Sequence, residues 1–445
     1  MNIAHPLIRR AVPIVAGAAT LLLTACSEPE IVLPGLREDI RPEGAAPTQI
    51  AITARETRAI RLPSATSNSS WPQAFGTPAF RTAHPALRTT PQRVWSVGIG
   101  AGDSRRQRIT ASPIVGGGLI YTLDAAARVS AVTPSGAVRW SADVTPSRSN
   151  EGDATGGGLA YDNGTVYVSL GFGDLVALDA TSGAVRWRQR LDATGSGMPT
   201  VSDGIVYVVA GDETGWAIDA ATGRVRWQVD ATPSIANVLG APAPAITARL
   251  AVFAFGSGEV VATFKSGGVQ RWTATVSGQR EGVALARYSD LTGMPVVVGN
   301  SIYVGNQSGR LVSLDAENGA RNWTLQQGTT GPAWPAGDSI FAITDTQQLI
   351  RVDAGSGEII WAAPLPGFTR ETGGRRVEIF AHYGPVLAGG RVVVVSNDGR
   401  LRSFSPESGA LVGTVDIPDG ATSPPAVAGN TLYVLSTTGD LHAFR

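Results

Sequence analysis

Seven tryptophans, Trp95, Trp140, Trp187, Trp227, Trp272, Trp323 and Trp361, recur along the chain at spacings of 45, 47, 40, 45, 51 and 38 residues. A period of tens of residues signals a solenoid or a propeller, because each unit is a small motif that cannot bury its own faces and must stack on its neighbours. Most of these rings end the same phrase, seen in Leu175-Val-Ala-Leu-Asp-Ala-Thr-Ser-Gly-Ala-Val-Arg-Trp187, Gly215-Trp-Ala-Ile-Asp-Ala-Ala-Thr-Gly-Arg-Val-Arg-Trp227 and Leu311-Val-Ser-Leu-Asp-Ala-Glu-Asn-Gly-Ala-Arg-Asn-Trp323. Earlier in each unit stands an apolar strand such as Val206-Tyr-Val-Val-Ala210, Ile302-Tyr-Val-Gly305 or Leu432-Tyr-Val-Leu435. Alternating apolar residues make a half-buried strand. The Asp-Ala-x-x-Gly segment supplies a side-chain acceptor and a residue that tolerates positive φ, the two needs of a tight hairpin turn. Each unit is therefore a small antiparallel sheet, and units of about 44 residues arranged in a ring are a β-propeller.

The two ends of the repeat set the blade number. The last copy, from Pro425 to Arg445, stops before its tryptophan-bearing strand, whereas Trp95 precedes any complete unit. An N-terminal strand that completes the C-terminal blade closes the ring and removes an exposed sheet edge. The expectation is an all-β, eight-bladed propeller over residues 93–445, with the tryptophans wedged between adjacent blades. The eighth tryptophan position falls at Gly413, where the ring is missing.

Residues 1–25 read as a lipoprotein signal peptide. Arg9 and Arg10 precede an apolar run from Ala11 to Leu22, which falls short of the roughly 20 residues of a membrane span. Leu23-Thr24-Ala25-Cys26 resembles the bacterial lipobox, in which the cysteine is acylated. By the same resemblance Ser27, in place of aspartate, implies sorting to the outer membrane. Residues 26–70, with scattered prolines and no apolar period, are expected to form a flexible lipidated tether, and residues 71–92 a lead-in to the propeller.

Composition removes several function classes. With 36 basic and 36 acidic residues the net charge is +0, so no field favours nucleic acid. Cys26 is the single cysteine, which excludes intramolecular disulfides, cysteine-based zinc sites and iron–sulfur clusters. The four histidines, His5, His84, His382 and His442, are dispersed and suggest neither a metal site nor a catalytic triad. Glycine clusters at 116–118 and 156–158 lack a following helix, so they read as turns and not phosphate loops. No catalytic residue, metal site or cofactor is expected.

The phrase Ala-x-Asp-x-x-Thr-Gly-x-x-x-Trp, fullest at Ala217 to Trp227, resembles the tryptophan-docking repeat of the pyrroloquinoline-quinone propeller superfamily. That superfamily holds quinoprotein dehydrogenases, which need the quinone and Ca²⁺, and the BamB family of lipoprotein propellers, which serve the machine inserting β-barrels into the outer membrane. Two segments, Pro233 to Pro244 and Arg287 to Pro295, resemble the BamB family's loops before the fourth and fifth blades. The resemblance implies that these loops dock on a periplasmic POTRA domain of a BamA-like barrel subunit. Ile235 and Val238 would be apolar anchors and Asp290 an acidic contact, with Arg287 in the same stretch. Leu239 stands where the family has arginine, and Thr292 where it has a second acidic residue. The implied protein is a non-enzymatic scaffold on the periplasmic face of the outer membrane, with nascent outer-membrane proteins as further partners. A quinoprotein dehydrogenase, and an interaction module of another envelope complex, are the alternatives. Finally, the long loop from Pro364 to Gly384, with Arg370, Glu371, Arg375, Arg376, Glu378, His382 and Tyr383, reads either as a second partner surface or as a solvated hairpin.

Overall fold

The computed structural model describes residues 56–80, 84–150, 153–195, 197–233, 241–276, 278, 291–369 and 378–445. Eight four-stranded antiparallel sheets follow one another: residues 114–143, 157–190, 200–230, 245–275, 296–325, 334–364, 382–416, and finally 426–444 joined by the strand Arg93–Gly98. They are numbered here as blades 1 to 8 in that order. The first strands of blades 1 and 2, 2 and 3, 3 and 4, 4 and 5, and 6 and 7 touch one another around the centre, and blade 1 meets blade 8 in the same way. Fourth strands form the rim, where exposed and half-exposed residues alternate. The fold is thus an all-β, eight-bladed β-propeller, and the described residues contain no helix.

The ring closes by pairing the two ends of the repeat. Trp95, Ser96 and Val97 pair antiparallel with Ala443, His442 and Leu441. Reciprocal 2.8 Å backbone bonds between Gln92 and Arg445 extend the ladder by one pair. Because every blade starts at the centre and winds outward, its connections sort onto two faces. One face carries the hairpin turns after the first and third strands and is called the turn face. The opposite face carries the turns after the second strand and the crossovers from each rim to the next blade's first strand.

Irregular backbone over residues 56–80 and 84–92 runs over the turn face and touches every blade. At its start the Glu56 and Arg58 amides donate to the carbonyls of Ile360 and Glu407, in blade 6 and in the last turn of blade 7. Asn68 bonds blade 8 at Val427 and Gly429. Trp71 exchanges two 2.8 Å bonds with Val115 of blade 1, the free inner edge of that sheet. Gln73 bridges Ala160 of blade 2 and accepts from the Val201 amide of blade 3. The carbonyls of Pro78 and Ala79 then accept from Ile246 and Val297 of blades 4 and 5. Trp71, Phe75 and Phe80 are buried to 2% exposure or less, and Trp71 stacks on Trp334 of blade 6 with centroids 6.3 Å apart. Burying three aromatic rings at the centre of the ring is a large apolar gain, which explains why this proline-containing stretch is ordered.

The sequence reading had ended the tether at residue 70. Residues 56–70 instead lie bonded along blades 6, 7 and 8. Composition missed this because backbone carbonyls and amides, which every residue carries, make most of the contacts. Residues 1–55 lie outside the described residues.

Candidate interaction surface

The repeat builds the same contact at seven junctions. The indole nitrogens of Trp95, Trp140, Trp187, Trp227, Trp272, Trp323 and Trp361 donate to carbonyls of Pro134, Ala180, Ala220, Lys265, Ala316, Ala354 and Pro406, each in the last turn of the next blade. The ring lies over the glycine of that turn. A Cβ on Gly223 would stand 2.7 Å from Trp187, and Gly223 also holds φ at +73°, so the position excludes side chains twice over. Within a blade the tryptophan sits in a cross-strand row. Tyr207, Ala217 and Trp227 form one such row, and Tyr167, Ala177 and Trp187 another. The hydroxyl of Tyr167 shares the Ala220 carbonyl with Trp187. The turn aspartate caps its own hairpin: Asp219 Oδ1 accepts from the amides of Ala221 and Thr222 and from the Thr222 hydroxyl. Its Oδ2 accepts from Arg226. That guanidinium, followed by the Thr222 bonds, pulls the carboxyl of Asp219 down to about 2.

Chain topology assigns the two loops singled out by sequence to the crossovers from blade 3 to blade 4 and from blade 4 to blade 5. Ile235, Val238, Leu239, Arg287 and Asp290 all lie outside the described residues, as does Cys26. Their described flanks are tied down. The Thr232 amide donates to Glu259 at 2.7 Å, Leu291 bridges Asn306, and the Thr292 hydroxyl donates to the Thr329 carbonyl at 2.7 Å. Thr292, noted as a departure from the family's acidic residue, thus has a structural bond of its own.

The 364–384 loop begins and ends as a paired arm. Phe368 bridges Ile379, the Thr369 amide donates to the Glu378 carbonyl, and the Phe380 amide to the Gly367 carbonyl; Arg370, Glu371, Arg375 and Arg376 lie outside the described residues. His382 pins the arm to blade 7, with Nδ1 2.6 Å from the Ser396 hydroxyl and Nε2 2.8 Å from the Pro366 carbonyl. Burial pushes this imidazole below its ordinary range, and does the same to His442 in blade 8. His84 bonds the blade 7 turn at Gly390. Among the described residues, no group of three or more His, Cys, Asp or Glu side chains gathers where a metal ion could be held.

The family described as outer membrane protein assembly factor BamB matches residues 125–363 and 370–445, well over half of the chain. The chain belongs to this family. The outer membrane protein assembly factor BamB of Salmonella typhimurium is 29% identical over 359 residues, covering 80% of this chain and 88% of that protein. BamB from Moraxella catarrhalis, at 19% identity, has the same fold with a TM-score of 0.65, covering 80% of this chain and 100% of its own. A quinohemoprotein alcohol dehydrogenase from Pseudomonas putida shares the fold too, at 15% identity and a TM-score of 0.62, over 85% of this chain and 80% of that one. The matched BamB family residues begin at 125, so the turn-face segment 56–92 lies outside the family match.

Two features of this BamB-family chain escaped the sequence reading. The first is Arg351, which occupies the middle of the blade 6 row between Phe341 and Trp361, where other blades carry Ala177, Ala217 or Ala262. It is fully buried. The signal was present as a charged residue at an alanine position of the repeat. The second is the pair Trp71 and Trp334, which fall outside the tryptophan period and meet at the centre of the ring.

Proposed function

We propose that this protein is a non-enzymatic scaffold of outer-membrane β-barrel assembly, held at the periplasmic face of the outer membrane by a lipid on Cys26. Membership of the BamB family carries the reading. The crossovers before blades 4 and 5 belong to one face of adjacent blades, which supports joint use of Ile235, Val238, Leu239, Arg287 and Asp290 against a BamA-like POTRA domain. The 364–384 arm leaves from the same face and is the next candidate surface.

A quinoprotein dehydrogenase is the rival that the shared fold suggests. Against it stands the burial of Trp71, Phe75 and Phe80 at the ring's centre. Pull-down of the acylated protein in mild detergent tests the scaffold reading: the barrel subunit is expected to co-purify. Dye reduction with alcohols or sugars after loading with quinone and Ca²⁺ would overturn it. For the interface, Ile235→Asp should weaken binding to isolated POTRA domains by about 1–4 kcal/mol, more than Asp290→Ala. Calorimetry decides this, and wild-type affinity for both variants would move the contact to the 364–384 arm.

A further inference from the structure

Seven junctions are sealed by an indole on a turn glycine, and the junction between blades 7 and 8 cannot be. Gly413 offers no ring. Blade 8 offers no last turn to receive one, because its third and fourth strands come from opposite ends of the chain. Residues 63–68 and 84–86 cross this junction. On the blade 7 side, the Gly389 amide donates to the Pro85 carbonyl at 3.0 Å. The Gly390 amide donates to His84 Nε2 at 2.8 Å, which leaves Nδ1–H to donate to the Pro63 carbonyl at 2.7 Å. On the blade 8 side, Asn68 donates to the Val427 carbonyl at 2.6 Å and accepts at its own carbonyl from the Gly429 amide at 2.7 Å. The two sides are laced together, since the Thr66 amide donates to the His84 carbonyl and the Ala86 amide to the Thr66 carbonyl.

The segment has its own receptor in blade 6. Arg351 donates through Nη1 to the Arg58 carbonyl at 2.5 Å and through Nη2 to the Ala59 carbonyl at 3.2 Å. The same guanidinium reaches the carbonyls of Pro406 and Glu407 in blade 7 and the Ser339 hydroxyl. Above it, Arg58 pairs with Asp353 and Asp338 at 2.5 and 3.1 Å. A buried guanidinium is tolerated only when its donors are satisfied, and two of its acceptors come from residues 58 and 59. Arg351 and the segment therefore depend on each other.

We propose that blade 6, through Arg351, is a binding site for the chain's own extended N-terminal segment, and that the bound segment is a clasp that holds the eighth junction shut. Closure of the ring is then conditional on the clasp, whereas the other seven junctions hold without it.

Hydrogen exchange on the full mature chain tests this, because local opening deprotects amides in contiguous units. In Arg351→Met the amides of Glu56, Arg58, Gly390 and Gly429 should exchange at least about tenfold faster. Those of Gln92, Arg445 and the strand Arg93–Gly98 should follow, while the blade 3 strands Ile205–Val209 and Thr214–Asp219 stay at wild-type rates. Asn68→Ala leaves Arg351 and its partners in place. In that variant the eighth junction should quicken while Glu56 and Arg58 stay protected. Three results would overturn the proposal: segment amides unchanged in Arg351→Met, segment amides released with the junction unmoved, or blade 3 accelerated equally. Should Arg351→Met fail to fold, unchanged junction amides in Asn68→Ala suffice to reject it.

Discussion

At the junction between blades 6 and 7, Trp361 reaches across to Pro406 and lies over Gly409, whereas between blades 7 and 8 the chain uses hydrogen bonds from the backbone and from the His84 and Asn68 side chains of a distant segment. The first solution is local. Strand, turn aspartate, glycine and tryptophan all lie within one repeat, so it can be copied wherever a blade is one continuous piece of chain. The second is forced by closure: the piece of chain that would hold the receiving turn does not exist, and the substitute has to come from outside the repeat. The three described histidines lie in the clasp (His84), in blade 7 (His382) and in blade 8 (His442). A repeat thus supplies its copied junctions from its own residues, and the junction that cannot be copied has to be held from outside it.

The contrast can be broken most directly at a copied junction. Trp361 is 1% exposed, and Trp361→Ala should cost about 3–5 kcal/mol in denaturant unfolding. A loss under about 1 kcal/mol would mean that docked indoles do not hold the blades. The turn glycine sharpens the point through a matched pair. Gly204 and Gly223 share nearly the same φ, +72° and +73°, but a Cβ on Gly204 meets nothing within 4 Å. Gly204→Ala should therefore show only the backbone cost of about 1–2 kcal/mol, while Gly223→Ala should add about 1–3 kcal/mol for overpacking against Trp187. Equal losses would remove the steric half of the argument.

Smaller effects are expected in blades 7 and 8. The folded-state pKa values of His382 and His442 are lowered by burial, so both favour the folded state above the unfolded histidine value of about 6.5. That stability is lost as pH falls from there through the folded values. Acidification from about pH 7 to 5 should thus deprotect blades 7 and 8 in hydrogen exchange before blades 2 to 4, and His382→Asn with His442→Asn should flatten the difference. Uniform deprotection around the ring would erase the contrast. Smallest of all, Gly413→Trp should leave the unfolding midpoint within about 0.5 kcal/mol of wild type, because no turn waits to receive the indole. A clear gain would show that the eighth junction lacks a ring and not a receptor.

Much of the architecture is legible in the residues. Blade number, closure by the strand containing Trp95, and the hairpin role of Asp219 and Gly223 follow from a period that local physics reads one repeat at a time. The candidate partner loops are legible only by their resemblance to a family's connecting segments, and their positions in the chain assign them to crossovers. What the residues did not announce is the course of residues 56–92. Pro63, Ser69 and Ser70 read as tether, because a composition argument counts buried side chains, and most of these contacts are made by backbone atoms. Arg351 likewise reads as an ordinary charge in a strand until its partners from residues 58 and 59, nearly three hundred positions away, are in place. Sequence by itself determined the repeat and hence the ring, since in blades 1 to 7 the hydrogen bonds and ring contacts lie within one repeat or its neighbour, and the two incomplete ends of the repeat complement each other in blade 8. Only the tertiary structure decided how the ring is locked, since no local pattern encodes which distant carbonyls satisfy a buried guanidinium or which free strand edges a passing segment will cover.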